Sequence, residues 1–131
     1  MVQYAPMFEI TKKASFSAAH FLRGYNGPCA RLHGHNWTVE VVIRAAELDS
    51  MGMLVDFMDL GAALNVLLEM VDHHNLNELP PFTTVNPTSE NLARWFHDEL
   101  TERLKPFNAA PHLVRIWELP DCSAAYWKDE A

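Results

Sequence analysis

Alternation governs the first third of the chain. Across residues 7–21 the even positions Phe8, Ile10, Lys12, Ala14, Phe16, Ala18 and His20 are apolar except for Lys12 and His20, the period of a strand with one buried face. A loop with glycine and proline follows, from Arg23 through Gly24, Asn26, Gly27 and Pro28. Alternation resumes over residues 35–48, with Trp37, Val39, Val41, Ile43 and Ala45 on one face and Thr38, Glu40 and Arg44 on the other, which predicts a second strand. Residues 49–52 (Asp-Ser-Met-Gly) read as a hairpin turn into a short third strand at 53–57.

The period then becomes helical. Leu60, Ala63, Leu64, Leu67, Leu68 and Val71 form one stripe behind Asp56 and Asp59, either of which can cap a helix start. Asp72-His73-His74-Asn75 ends that helix, and Pro80 and Pro81 enforce a break. Asn86-Pro87-Thr88-Ser89-Glu90 supplies start chemistry for a second helix with Leu92, Trp95, Phe96 and Leu100 on one side. After a loop bracketed by Pro106 and Pro111, a strand is predicted at 112–119, with Val114, Ile116 and Glu118 sharing a face, and a short one at 124–127. Hairpin-paired strands with the helices grouped together indicate an α+β sandwich.

Composition narrows the function classes. At 131 residues, with no repeat or low-complexity tract, residues 1–131 are expected to form one domain. An apolar share of 49% excludes a disordered chain. A net charge of −7 argues against a nucleic-acid or anionic-membrane surface. No apolar run approaches the roughly 18–20 residues of a membrane span, and the N-terminus lacks signal-peptide layout. Two cysteines are too few for a disulfide framework, so a soluble, cytoplasmic protein is expected. The unusual component is histidine: seven in the chain, five of them at His20, at His33 and His35, and at His73 and His74.

His33-Gly34-His35 opens the second strand, where residues i and i+2 face the same way, on the parity of its apolar face. His20 ends the inward face of the first strand. If these strands pair antiparallel, three imidazoles converge, and three neutral nitrogens without a fourth protein ligand describe an open zinc site. Cys29, four residues before His33, is a candidate base or nucleophile beside such an ion. It reads equally as a small buried residue or as a fourth ligand closing the site. Cys122 reads as structural. Asp72-His73 suggests a carboxylate–imidazole pair, although neighbours in sequence do not by themselves face one another. Glu118 stands on an apolar parity and needs a partner: either a heterocycle offering an amidine-like N–H pair or an internal arginine.

Taken together, these residues resemble the 6-pyruvoyltetrahydropterin synthase and 6-carboxytetrahydropterin synthase family. The likeness runs through Phe16-Ser-Ala-Ala-His20, Cys29-Ala-Arg-Leu-His33-Gly-His35-Asn36, Val55-Asp56-Phe57, Asp72-His73-His74-Asn75-Leu76-Asn77, Asn86-Pro87-Thr88-Ser89-Glu90-Asn91-Leu92 and Trp117-Glu118, nearly the whole chain. The resemblance implies the tunnelling fold, a four-stranded antiparallel sheet with two helices on one face, closed into barrels by trimers that commonly stack into a homohexamer. It implies zinc on His20, His33 and His35, Cys29 as general base, and Asp72 with His73 as the partner acid–base pair. Glu118 would anchor the 2-amino and N3 edge of a pterin, with Thr88 and Glu90 near it across a subunit interface.

Three residues separate Cys29 from His33, the spacing of the 6-carboxytetrahydropterin synthase branch; the 6-pyruvoyl branch is longer there. The implied reaction converts 7,8-dihydroneopterin triphosphate to 6-carboxytetrahydropterin, acetaldehyde and triphosphate, in queuosine and 7-deazapurine synthesis. Triphosphate elimination by a 6-pyruvoyl synthase, and a non-catalytic zinc- or pterin-binding role, are the competing readings. One departure stands out: the family usually has threonine after the glutamate, whereas Leu119-Pro120 follows Glu118 here. Lys12, Lys13, Arg23 and Arg31 are the candidate cations for a triphosphate.

Overall fold

A computed structural model describes residues 1–129. In chain order the elements are β1 (Phe8–His20), β2 (His33–Ala45), α1 (Phe57–Val71), β3 (His74–Asn75), α2 (Ser89–Arg103), β4 (Leu113–Leu119) and β5 (Cys122–Trp127), with short 3-10 turns at Pro28–Ala30, Leu76–Glu78 and Lys105–Phe107. The sheet order is β3-β1-β2-β4-β5. The four long strands are antiparallel neighbours, as expected, and β3 adds a two-residue parallel bridge to β1 at Ala18 and Ala19. Two residues carry no period, which is why alternation alone does not find β3.

The register follows the parity of the sequence. β1 and β2 pair from Phe8 opposite Ala45 to His20 opposite His33, so Phe16 and Ala18 face the same side as Trp37, Val39, Val41 and Ile43. Val114 and Ile116 extend that face from β4, and α1 and α2 cover it with Leu60, Leu64, Leu67, Leu92, Phe96 and Leu100. Burying each leucine contributes about 1.5–3 kcal/mol. Lys12, the charged exception on this parity, lays its side chain against α1, where a Cβ on Gly61 would come within 3.1 Å of Lys12 Cε.

Both helices start where the sequence indicates. Asp56 caps α1 by accepting from Met58 N at 2.8 Å, and the Thr88 hydroxyl caps α2 by accepting from Asn91 N at 3.1 Å. The expected strand at 53–57 does not form. Asp49 Oδ1 accepts from Met51 N and Met53 N, and Gly52 N donates to Asp49 O, so the turn closes on itself. β2 already lies between β1 and β4, which leaves no edge for a returning strand.

Candidate metal centre

The centre sits at the end of the core face, where β1 stops and β2 begins. Register sets His20 directly opposite His33, and Ala18 opposite His35. The three rings meet edge to face, with centroids 4.6 Å (His20–His33), 5.2 Å (His20–His35) and 4.9 Å (His33–His35) apart. Trp37 forms the floor, edge-on to His20 at 4.9 Å and to His35 at 5.2 Å, its indole N–H donating to Ala18 O.

Backbone carbonyls orient two of the rings. His20 Nδ1 meets Pro87 O at 2.8 Å, and His33 Nδ1 meets Arg31 O at 2.7 Å. A carbonyl only accepts, so each Nδ1 carries a proton, and in the neutral ring the lone pair is then on Nε2. The Nε2 atoms of His20, His33 and His35 are all buried without a hydrogen-bond partner. Burial holds His20 and His35 below the ordinary histidine pKa, so both rings are neutral near pH 7. Three buried nitrogens aimed at one point, two of them on rings that burial keeps neutral, fit a metal ion.

Glu118 joins them. Its Oε1 lies 3.3 Å from His20 Nε2 and 3.0 Å from His35 Nε2, and the ligand atoms of His20, His33, His35 and Glu118 all fall within 4.8 Å of one another, a group that can hold a metal ion. Of the two partners open to Glu118 in the sequence, the internal arginine is not the one found: its ion-pair contacts are to these histidines. Cys29 lies outside the four-membered group. It is half-buried in the 3-10 turn at Pro28–Ala30, with its carbonyl accepting from Leu22 N. Glu118, rather than Cys29, is therefore the fourth donor in reach.

Asp72 and His73 form their pair by a backbone device. His73 adopts a left-handed conformation (φ 59°), which folds its ring back so that Nδ1 meets Asp72 Oδ2 at 3.0 Å. The pair is clamped to β1: Asp72 Oδ1 accepts from Ser17 N at 2.8 Å, and His73 N donates to Ser17 O. The Ser17 N–H, and then the His73 ring, hold the Asp72 carboxyl below the usual carboxylate range. The His73 side chain is 81% exposed and stands outside the metal group, though His73 and His35 border one shallow depression. His74 turns its Nδ1 to Asp72 O.

The Thr88 hydroxyl is committed to the α2 cap, and Glu90 is exposed in the first turn of α2. Sequence reasoning missed the amide network that positions Pro87. Asn77 accepts from Phe21 N and donates to Phe21 O, while Asn86 does the same for Arg23. Arg23 is itself committed, donating to Phe82 O and Asn77 O, and Lys13 pairs with Glu40 at 3.6 Å. The signal was present in the sequence: Asn77 and Asn86 lie between the two helical stripes, where an amide can satisfy two backbone groups at once.

Comparison with known proteins bears on this arrangement. The family profile of 6-pyruvoyl tetrahydropterin synthase matches residues 9–129. The chain is 33% identical to a 6-carboxy-5,6,7,8-tetrahydropterin synthase of Bacillus subtilis, covering 95% of this chain and 88% of the relative. It is 35% identical to the enzyme of that name from Synechocystis, covering 92% and 94%. Among solved structures, the 6-pyruvoyl tetrahydropterin synthase of Caenorhabditis elegans superimposes with a TM-score of 0.85 at 28% identity, covering 98% of this chain and 100% of that one.

Proposed function

We propose, on the premise that this chain belongs to the 6-pyruvoyl tetrahydropterin synthase family, that it is a zinc-dependent 6-carboxy-5,6,7,8-tetrahydropterin synthase. It would convert 7,8-dihydroneopterin triphosphate to 6-carboxytetrahydropterin, acetaldehyde and triphosphate, supplying queuosine and 7-deazapurine synthesis, as one family domain spanning residues 1–131. The observation that carries the reading is the convergence of three buried, partnerless Nε2 atoms. The three-residue spacing from Cys29 to His33 favours the carboxy branch.

In this reading His20, His33 and His35 hold zinc, which supplies Lewis-acid polarisation of the substrate's side-chain oxygens. Cys29 acts as general base on the substrate side chain, and His73, its tautomer set by Asp72, is the second proton carrier. The carboxylates available for the pterin's 2-amino and N3 edge are Glu118 and Glu90, since a carboxylate accepts that pair bidentately. Glu118 can do so only after its Oε1 leaves the histidines, whereas Glu90 is free at the start of α2 beside Thr88. Because His73 lies at the β1–β3 edge outside the metal group, a second copy of the chain is the natural source of the acid–base pair at each centre. Assembly as a homohexamer, a dimer of trimers, in the cytoplasm completes the proposal.

A 6-pyruvoyl tetrahydropterin synthase is the second reading, favoured by the close superposition on the Caenorhabditis elegans protein. Cys29→Ala separates catalysis of either kind from a non-catalytic binding role. The expected result is a loss of triphosphate release from dihydroneopterin triphosphate by at least about 100-fold, with bound zinc and melting temperature unchanged. A variant that turns over at the wild-type rate contradicts the base role.

A further inference from the structure

A polyanionic substrate needs a cation where it binds, and this chain carries a net charge of −7. Lys12 and Arg31 excepted, every one of the ten lysines and arginines has a hydrogen-bond or ion-pair partner among the described residues. Lys12 lies against Gly61 of α1, eight residues along β1 from His20, which is roughly 26 Å of strand. Arg31 is exposed, and stands two residues after Cys29 and two before His33. It is therefore the uncommitted cation beside the histidines.

The backbone of Arg31 is held on both sides. Its N–H donates to Pro28 O at 3.0 Å, and its carbonyl accepts from His33 Nδ1 at 2.7 Å. The residue itself is extended, with φ −92° and ψ 147°. In extended chain residues i and i+2 share a face, so Arg31 leads the parity of His33 and His35, and Leu32 between them is 60% exposed. A guanidinium offers its N–H donors as a rigid fork that takes a phosphate through two bonds at once. Arg23, at the other end of the same loop, has no such fork to offer: its Nη2 serves Phe82 O and Asn77 O, and its Nη1 is buried.

We infer that Arg31 binds the triphosphate of the substrate and sets the preference for phosphorylated over unphosphorylated pterins. The inference rests on the proposed function and deepens it. In 7,8-dihydroneopterin triphosphate the phosphates end the same three-carbon side chain whose oxygens that proposal brings to the histidines, so the first phosphate falls a few bonds from them. Arginine keeps its proton throughout, so Arg31 is a specificity residue and carries no proton in the reaction.

The test uses neopterin triphosphate and neopterin, two fluorescent probes that differ only in the phosphates, with affinities read by anisotropy on zinc-loaded protein. Arg31→Ala is expected to weaken binding of neopterin triphosphate at least about ten-fold and to leave neopterin binding unchanged, with Arg31→Lys falling between wild type and Arg31→Ala. With 7,8-dihydroneopterin triphosphate as substrate, KM should rise and kcat should stay near its wild-type value. Bound zinc and melting temperature should not move, because the Arg31 carbonyl that holds His33 survives the substitution. Wild-type affinity for both probes in Arg31→Ala overturns the inference, and so does an equal loss for both. A wild-type protein that binds the two probes equally tightly defeats the phosphate role alone. If it binds neither and leaves the substrate unchanged, the proposed function fails as well.

Discussion

The chemistry of the centre is set one residue at a time, by which ring nitrogen each neighbour occupies. Pro87 O and Arg31 O take the Nδ1 protons of His20 and His33, and burial disfavours the imidazolium at His20 and His35. Both groups therefore titrate lower in the folded chain than at the ordinary value of 6.5. The unfolded chain binds their protons more readily, so acid favours unfolding. Their contribution is intact above pH 6.5 and is lost as the pH falls from 6.5 towards the folded values. Chelator-treated protein should thus melt at progressively lower temperature as the pH is taken from about 7.5 to about 5.5, and His35→Gln should flatten that dependence. An unchanged melting temperature across the range, or a rise, contradicts it. The convergence of the three histidines was legible in the sequence because strand parity fixes which way a side chain points. Parity likewise put Glu118 on the inward face, but not its contacts with His20 and His35, because alternation says which way a side chain points and not which groups it meets there.

At the scale of elements, Thr88 shows how a capping residue supports the site. Its hydroxyl accepts from Asn91 N, while the preceding Pro87 turns its carbonyl to His20; one short turn thus starts α2 and fixes a ring. Thr88→Ala should destabilise the protein by about 1 kcal/mol, seen in chemical denaturation, with Thr88→Ser restoring most of it. Wild-type stability in Thr88→Ala would remove the cap from the account. The long strands and both helices could be read from the sequence, since each repeats its period several times and each helix carries a cap. The strand expected at 53–57 failed for a reason outside those five residues: β1 and β4 occupy both edges of β2. The His73 ring reaches Asp72 through a positive φ, a conformation in which histidine is enriched but still uncommon, so the sequence alone does not call for it.

For the whole molecule, the sheet ends matter most. β1 has 13 residues, but its outer edge is engaged only over Ser17 to Ala19, by Asp72, His73 and β3, and among the described residues β5 has no neighbour on its far side. Long open edges invite pairing with another copy, and His73 lies at one of them. The expected outcome is a closed oligomer in solution, a hexamer in the reading proposed here, by light scattering coupled to gel filtration; a 14.9 kDa particle at micromolar concentration contradicts it. Among the described residues no helix is long and apolar enough to cross a membrane. The acidic total of −7 means that positive charge for a polyanionic substrate must be local, with Arg23 committed to carbonyls and Lys13 to Glu40. The central claim, a zinc centre that cleaves the side chain of a dihydropterin triphosphate, is tested most directly by product identification. Zinc-loaded protein incubated with 7,8-dihydroneopterin triphosphate should yield 6-carboxytetrahydropterin and acetaldehyde by mass spectrometry. Release of 6-pyruvoyltetrahydropterin alone would assign the other branch, and recovery of unchanged substrate would contradict the account.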